Sequence, residues 1–266
     1  MTNLASTRPH SAMLPILAVL VCAALQILTP LLPQLGVGES IGSQSDNVET
    51  LVTPAGWAFS IWGALYTGST LFAVYQALPA QRNDALLASI RWPAAGAFLG
   101  NALWALYTQI FGLSAVSAAI ILFTLTCLLI IYRQFASRAP ASAGERWLVY
   151  LPLSALAAWL TVATIVNISA SLRFHGVEAG SAGPVISAAL VVVGGVIAAA
   201  ALYAGRGNLP YALVFLWALT AIYLDGGQVE QLVGAAAIAA AVLVIGGAWA
   251  GRKAAGSTRA APVARA

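Results

Sequence analysis

Residues 53–78 read TPAGWAFSIWGALYTGSTLFAVYQAL, with no charged residue anywhere in the run. A stretch of that length and apolarity is enough to cross the hydrocarbon of a bilayer as a helix. Pro54 suits a first helical turn, where its missing N–H costs nothing. The spacing predicts a helix over the whole stretch, with Phe59, Trp62 and Tyr66 at i, i+3, i+7 on one aromatic stripe. Trp57 stands at its entrance, and Ala64 and Gly68 form a small-residue step that admits another helix closely. Two readings fit these residues equally: a packed membrane helix with an aromatic end, or one wall of a ligand site.

The rest of the chain decides the environment. Of 266 residues, 61% are hydrophobic and only 8% are charged, against about 25% charged in soluble domains. Mean hydropathy is +0.88. The chain is therefore expected to be an all-α integral membrane protein, a polytopic helix bundle. Further apolar runs at 11–32, 92–110, 114–132, 147–168, 184–203, 209–224 and 231–250 bring the predicted spans to eight. The first run is long for a signal peptide and lacks a small-x-small cleavage site, so it reads as an uncleaved helix. Residues 33–53 read as a long loop without a secondary-structure pattern. Residues 1–10 form a polar N-terminal tail, and 251–266 a basic tail expected to be disordered.

Charge orients the spans. With the N-terminus inside, the inner segments hold Arg8, Arg82, Arg91, Arg133, Arg138, Arg146, Arg206, Arg252, Lys253, Arg259 and Arg265, and the outer ones hold only Arg173. That asymmetry predicts a bacterial inner (plasma) membrane protein with both termini cytoplasmic. Trp92, Trp147 and Trp249 fall at the inner interface, where aromatic belts form. The basic residues are strung along loops rather than gathered in a patch, so a net charge of +4 does not point to nucleic acid.

The predicted spans contain no Asp, Glu, Lys, Arg or His. General acid–base catalysis needs a titratable group, and ion-coupled transport generally keeps one in the membrane. No catalytic residue is assigned, and the chain is not read as an enzyme. Cys22 and Cys127 lie in apolar runs, and two histidines cannot assemble a metal site. What remains inside is amide, hydroxyl and aromatic. Asn101, Trp104 and Thr108 share one helix face, and Trp159, Ala163 and Asn167 share another. Broad apolar walls with a few polar anchors suit a planar or polycyclic amphipathic ligand. The same pattern also arises where asparagines join neighbouring helices and tryptophans fill the core.

Three motifs taken together resemble a known family. PAGWAFSIWGALY (54–66) is similar to the second-helix start of the TspO/translocator proteins, the tryptophan-rich sensory proteins or peripheral benzodiazepine receptors. GNALWALY (100–107) resembles the third-helix pattern of that family, and AAWLTVATIVNIS (157–169) the fifth. The likeness covers residues 11–173, which would form a five-helix bundle, leaving 174–250 as three additional helices. Ser60-Ile61 stands where the family usually has Gly-Pro, and Ala105-Leu106 where it has paired prolines. Ile168 replaces the tyrosine of the animal members' proposed cholesterol motif, so cholesterol is not expected.

The resemblance implies porphyrin or other polycyclic binding inside the bundle, with the 33–53 loop as a lid. The positions it carries over are Trp57, Trp62, Tyr66, Asn101, Trp104, Trp159, Ala163 and Asn167, and the aromatic stripe adds Phe59. No cofactor is required, though the ligand itself would be porphyrin- or haem-like.

The leading expectation is a membrane binding protein or sensor for such a ligand. The alternative is a secondary transporter or permease component for a small amphipathic molecule, suggested by Gly194-Gly195 and Gly205-Arg206-Gly207. Gradient-driven uptake would separate the two, and turnover of bound porphyrin would mark an enzyme. The expected partners are the lipid bilayer and the ligand. The last three helices have three candidate roles: a separate bundle, a homodimer surface, or a cover for one side of the pocket.

Overall fold

With no water in the hydrocarbon to satisfy backbone groups, each apolar run closes its own N–H and C=O groups as a helix. The computed structural model describes residues 10–260, among which there is no strand. The long helices are α1 (His10–Leu28), α2 (Ile61–Ala77), α3 (Ala85–Phe111), α4 (Ala115–Ser137), α5 (Leu151–Phe174), α6 (Gly183–Ala204), α7 (Leu209–Leu224) and α8 (Gln231–Ala260). Six of them, α1 and α4 to α8, are long and apolar enough to cross a membrane, and α2 and α3 pack among them. The protein is an integral membrane helix bundle.

Five expectations need correction. The helix predicted over 53–78 begins only at Ile61, after a 3₁₀ turn at Gly56–Ser60. The delay has a tertiary cause. Ala55 N–H donates to Ala221 O of α7 at 3.3 Å, and Trp217 Nε1 of α7 donates to Ala58 O at 3.1 Å. Phe59 therefore sits in the turn, not on the helical stripe. α3 begins at Ala85, earlier than residue 92, because the Asp84 side chain caps it by accepting from Leu87 N at 2.8 Å.

That early start brings Arg91 inside a helix, where the sequence pattern had no charge. Its side chain is 1% exposed. It donates to Gln76 Oε1, Gln76 O, Gln81 O and Arg82 O at 2.8–3.2 Å, so it satisfies carbonyls at the C-terminal end of α2. Residues 251–260 of the basic tail, expected to be disordered, continue α8. The N-terminal tail expected at 1–10 lies almost wholly outside the described residues.

The helices form a ring: α2 packs on α1, α1 on α3, α3 on α4, α4 on α5, and α5 closes on α2. α7 then packs on the far side of α5, α8 on α7, and α6 on α8 and α5. α5 is shared by both groups, and 78% of its apolar window is buried. Small residues set the spacing. A Cβ on Gly68 would lie 2.8 Å from Pro152 Cβ of α5, and one on Gly100 would overlap Thr124 Oγ1 of α4. On the other group, a Cβ on Gly195 would lie 2.7 Å from Ala240.

The 33–53 segment is folded. A 3₁₀ turn at Thr29–Leu35 leads to a short helix at Ile41–Asp46, capped by Ser40, whose Oγ accepts from Ser43 N at 3.1 Å. Gly38 adopts φ +73° directly over α3, where a Cβ would sit 2.5 Å from Gln109 O. Glu39 N–H donates to that same carbonyl at 2.8 Å, and Val48 and Val52 are buried. The segment is anchored across the end of the ring at which α3 finishes.

Candidate functional site

α2, α3 and α5 converge under this cover. The cavity between them is lined by Phe59, Trp62, Trp104, Trp159, Ala163 and Asn167, all singled out in the sequence. Ile41, Ser45 and Pro54 from the covering segment close it on one side, and Leu113 and α5 residues Val162, Val166 and Ala170 complete the wall. Ala170 continues the Trp159–Ala163–Asn167 face by one more turn, a spacing that would have identified it. The covering residues could not be found that way, because no periodicity links them to α5.

Trp159 organises the aromatic wall. Phe59 meets it edge-on with ring centroids 6.0 Å apart, and Trp62 meets it edge-on at 6.2 Å. Tyr66 does not line the cavity. It stacks on Trp62 at 5.1 Å and supports that ring from behind. Trp57 lies outside as well, 43% exposed and edge-on to Trp217 of α7 at 4.8 Å.

The two asparagines part company. Asn101 turns toward α1, where its Nδ2 donates to Gln26 Oε1 at 3.2 Å. It joins helices and is absent from the cavity wall. Asn167 faces the cavity. Its Oδ1 accepts from Ser117 Oγ of α4 at 2.9 Å, which leaves Nδ2 without a hydrogen bond among the described residues.

A second donor is also unpaired. Trp104 Nε1 is buried with no partner, as are Thr108 Oγ1 and both amide atoms of Gln109 further up α3. Buried polar atoms are rarely left so. The cavity volume is about 40 Å³, room for a water or so. The wall and the donors are assembled, but the cavity is too small for a large ligand.

Aromatic residues of all three motifs thus converge on one cavity. A model of the TSPO-like protein family matches residues 12–249. The chain belongs to this family. The match runs through α6, α7 and α8. No curated protein and no solved structure matches the chain. In this TSPO-like protein α7 holds the turn before α2 through Trp217, and α6 and α7 back the face of α5 turned away from the ring. Among the described residues no group of three or more His, Cys, Asp or Glu could hold a metal ion.

Proposed function

We propose that this TSPO-like protein is a membrane-embedded binding protein or sensor for a hydrophobic polycyclic ligand of tetrapyrrole type. One observation carries the reading. Two hydrogen-bond donors without partners, Trp104 Nε1 and Asn167 Nδ2, border a single cavity whose wall is Phe59, Trp62 and Trp159. A ring system stacks on such walls, and its carboxylate or carbonyl oxygens accept from the donors. Ligands of that size occupy roughly 300–1,000 Å³, so binding requires the 33–53 segment to lift and the aromatic side chains to rotate. The segment then acts as the lid. No residue of the cavity is titratable in a way that serves acid–base chemistry, so the role is recognition.

The test is tryptophan fluorescence of the purified protein titrated with protoporphyrin. Saturable quenching that is lost in Trp62→Ala/Trp159→Ala is the expected result. Quenching that survives in the double variant would place the ligand elsewhere. The carrier reading draws on a second, inner groove beside the same α2–α5 seam. Gradient-driven accumulation of porphyrin in proteoliposomes would establish that reading over sensing.

The membrane arrangement proposed with this function is cytoplasmic at both termini, the orientation that keeps every basic residue except Arg173 on the inner side.

A further inference from the structure

A groove far larger than the outer cavity opens toward the N-terminal end of α5, which lines it with Leu151, Pro152 and Ala155, whereas Trp159 to Ala170 line the cavity. The groove's volume is about 710 Å³. Ile61, Leu65, Leu151 and Leu213 form apolar walls between α2, α5 and α7, and Leu213 and Trp147 at its edge are 57% and 61% exposed. In a bilayer those exposed faces meet lipid, so the groove is open sideways to acyl chains.

Its inner rim is cationic. Arg138, Arg146 and Arg206 all line it. Arg138 is paired with Glu145. Arg146 and Arg206 have no ion pair and no side-chain hydrogen bond among the described residues, leaving two uncompensated charges beside an apolar trough. Backbone irregularity accompanies both. Arg146 begins a π-helical turn, Arg146–Tyr150, before α5. Arg206 is the only non-glycine residue with positive φ among the described residues, at +60°. It is held there by Gly205, packed on the Tyr132 hydroxyl, and by Gly207, packed on Arg252. Left-handed backbone at an arginine and π turns are both costly, and both recur where a side chain must be aimed at a ligand.

We infer that this groove is a binding site for an anionic phospholipid of the inner leaflet. The phosphate is held by Arg146 and Arg206, and the glycerol and upper acyl chain lie in the trough below Trp147. Guanidinium forks match phosphate oxygens in geometry as well as charge. Basic pockets between helices on the cytoplasmic side recognise acidic headgroups in this way, whereas a zwitterionic lipid brings no net charge. The inference stands apart from the ligand of the outer cavity, since none of these residues borders it.

The experiment is native mass spectrometry of the delipidated full chain, titrated with phosphatidylglycerol and with phosphatidylcholine of identical acyl chains. The expected result is one tight phosphatidylglycerol adduct with no equal in phosphatidylcholine. In Arg146→Gln/Arg206→Gln its affinity should fall about 20–30-fold, from roughly fivefold for each charge. Arg146→Lys/Arg206→Lys keeps the charge and loses the fork, so its affinity should fall between those of the wild type and the glutamine variant, which excludes misfolding as the cause. Arg146→Gln alone, on an exposed side chain, serves if the double variant does not fold. Equal binding of the two lipids, or an adduct indifferent to the glutamine substitutions, would overturn the inference. So would displacement of the adduct by inorganic phosphate at matched concentration, which would mean that the headgroup alone is recognised.

Discussion

Ser117 Oγ, on α4, donates to Asn167 Oδ1, on α5, at 2.9 Å, and this bond between the two helices turns the asparagine's Nδ2 toward the cavity. The same Ser117 hydroxyl lies 2.7 Å from Ser114 O at the start of α4, so its one proton is shared between two acceptors. Removing it frees the amide to rotate without removing any cavity wall. Ser117→Ala should weaken protoporphyrin binding by about 3–10-fold, the value of one hydrogen bond between membrane helices. Asn167→Ala should weaken it at least as much. Fluorescence titration of both variants measures the effect, and wild-type affinity in Ser117→Ala would show that amide orientation is irrelevant to binding.

Asn101→Ala should behave differently. Its amide serves α1 through Gln26 rather than the cavity, so the change falls on stability, by about 1 kcal/mol, with ligand affinity preserved. Unfolding in detergent and the same titration separate the two effects. An affinity loss larger than that of Asn167→Ala would reverse the assignment of the two asparagines.

Arg91 supplies the strongest structural test. Replacing it strands Gln76 and the carbonyls at the end of α2 in a buried site. Arg91→Leu should cost about 3 kcal/mol, and Arg91→Lys should recover little of it, because an ammonium cannot reproduce the planar fork. A lowered unfolding temperature in both variants is the expected reading. Wild-type stability in Arg91→Lys would mean that charge alone is needed there.

The close approach of α3 and α4 rests on Gly100. A Cβ there overlaps Thr124 Oγ1, so Gly100→Val forces the helices apart at a cost of about 1–3 kcal/mol. Gly100→Val/Thr124→Ala should return part of that loss, since the second change makes room. Identical unfolding temperatures for the single and double variants would place the strain elsewhere.

For the lid, shortening residues 39–48 is not the clean test that an unstructured loop would offer. That segment contains Glu39, bonded to α3, and the buried Val48. Ile41→Ala instead trims a cavity-facing contact of the cover and leaves its backbone in place. Ligand release in stopped-flow should speed up about fivefold, with the on-rate nearly unchanged. An unaltered off-rate would show that the segment does not retain the ligand.

The sequence by itself determined the class of the protein, the order of its long helices and its family. These depend on local quantities: runs of apolar residues and motifs spaced along single helices. It also determined that Trp159, Ala163 and Asn167 share a face, because a helix converts spacing into direction whatever surrounds it.

Direction alone does not name a neighbour. Asn101 and Asn167 occupy similar local patterns, yet one meets Gln26 and the other meets a cavity, and only the packing of α1 and α4 decides which. Phe59 left the helical stripe because α7, far along the chain, bonds the turn that carries it. Arg91 became interior because α2 ends beside it with carbonyls to satisfy, although the Asp84 cap that moved the helix start was written locally. The groove at Arg146 and Arg206 exists only where α2, α5 and α7 meet, since its two cations lie sixty residues apart in sequence and share a rim through tertiary packing alone.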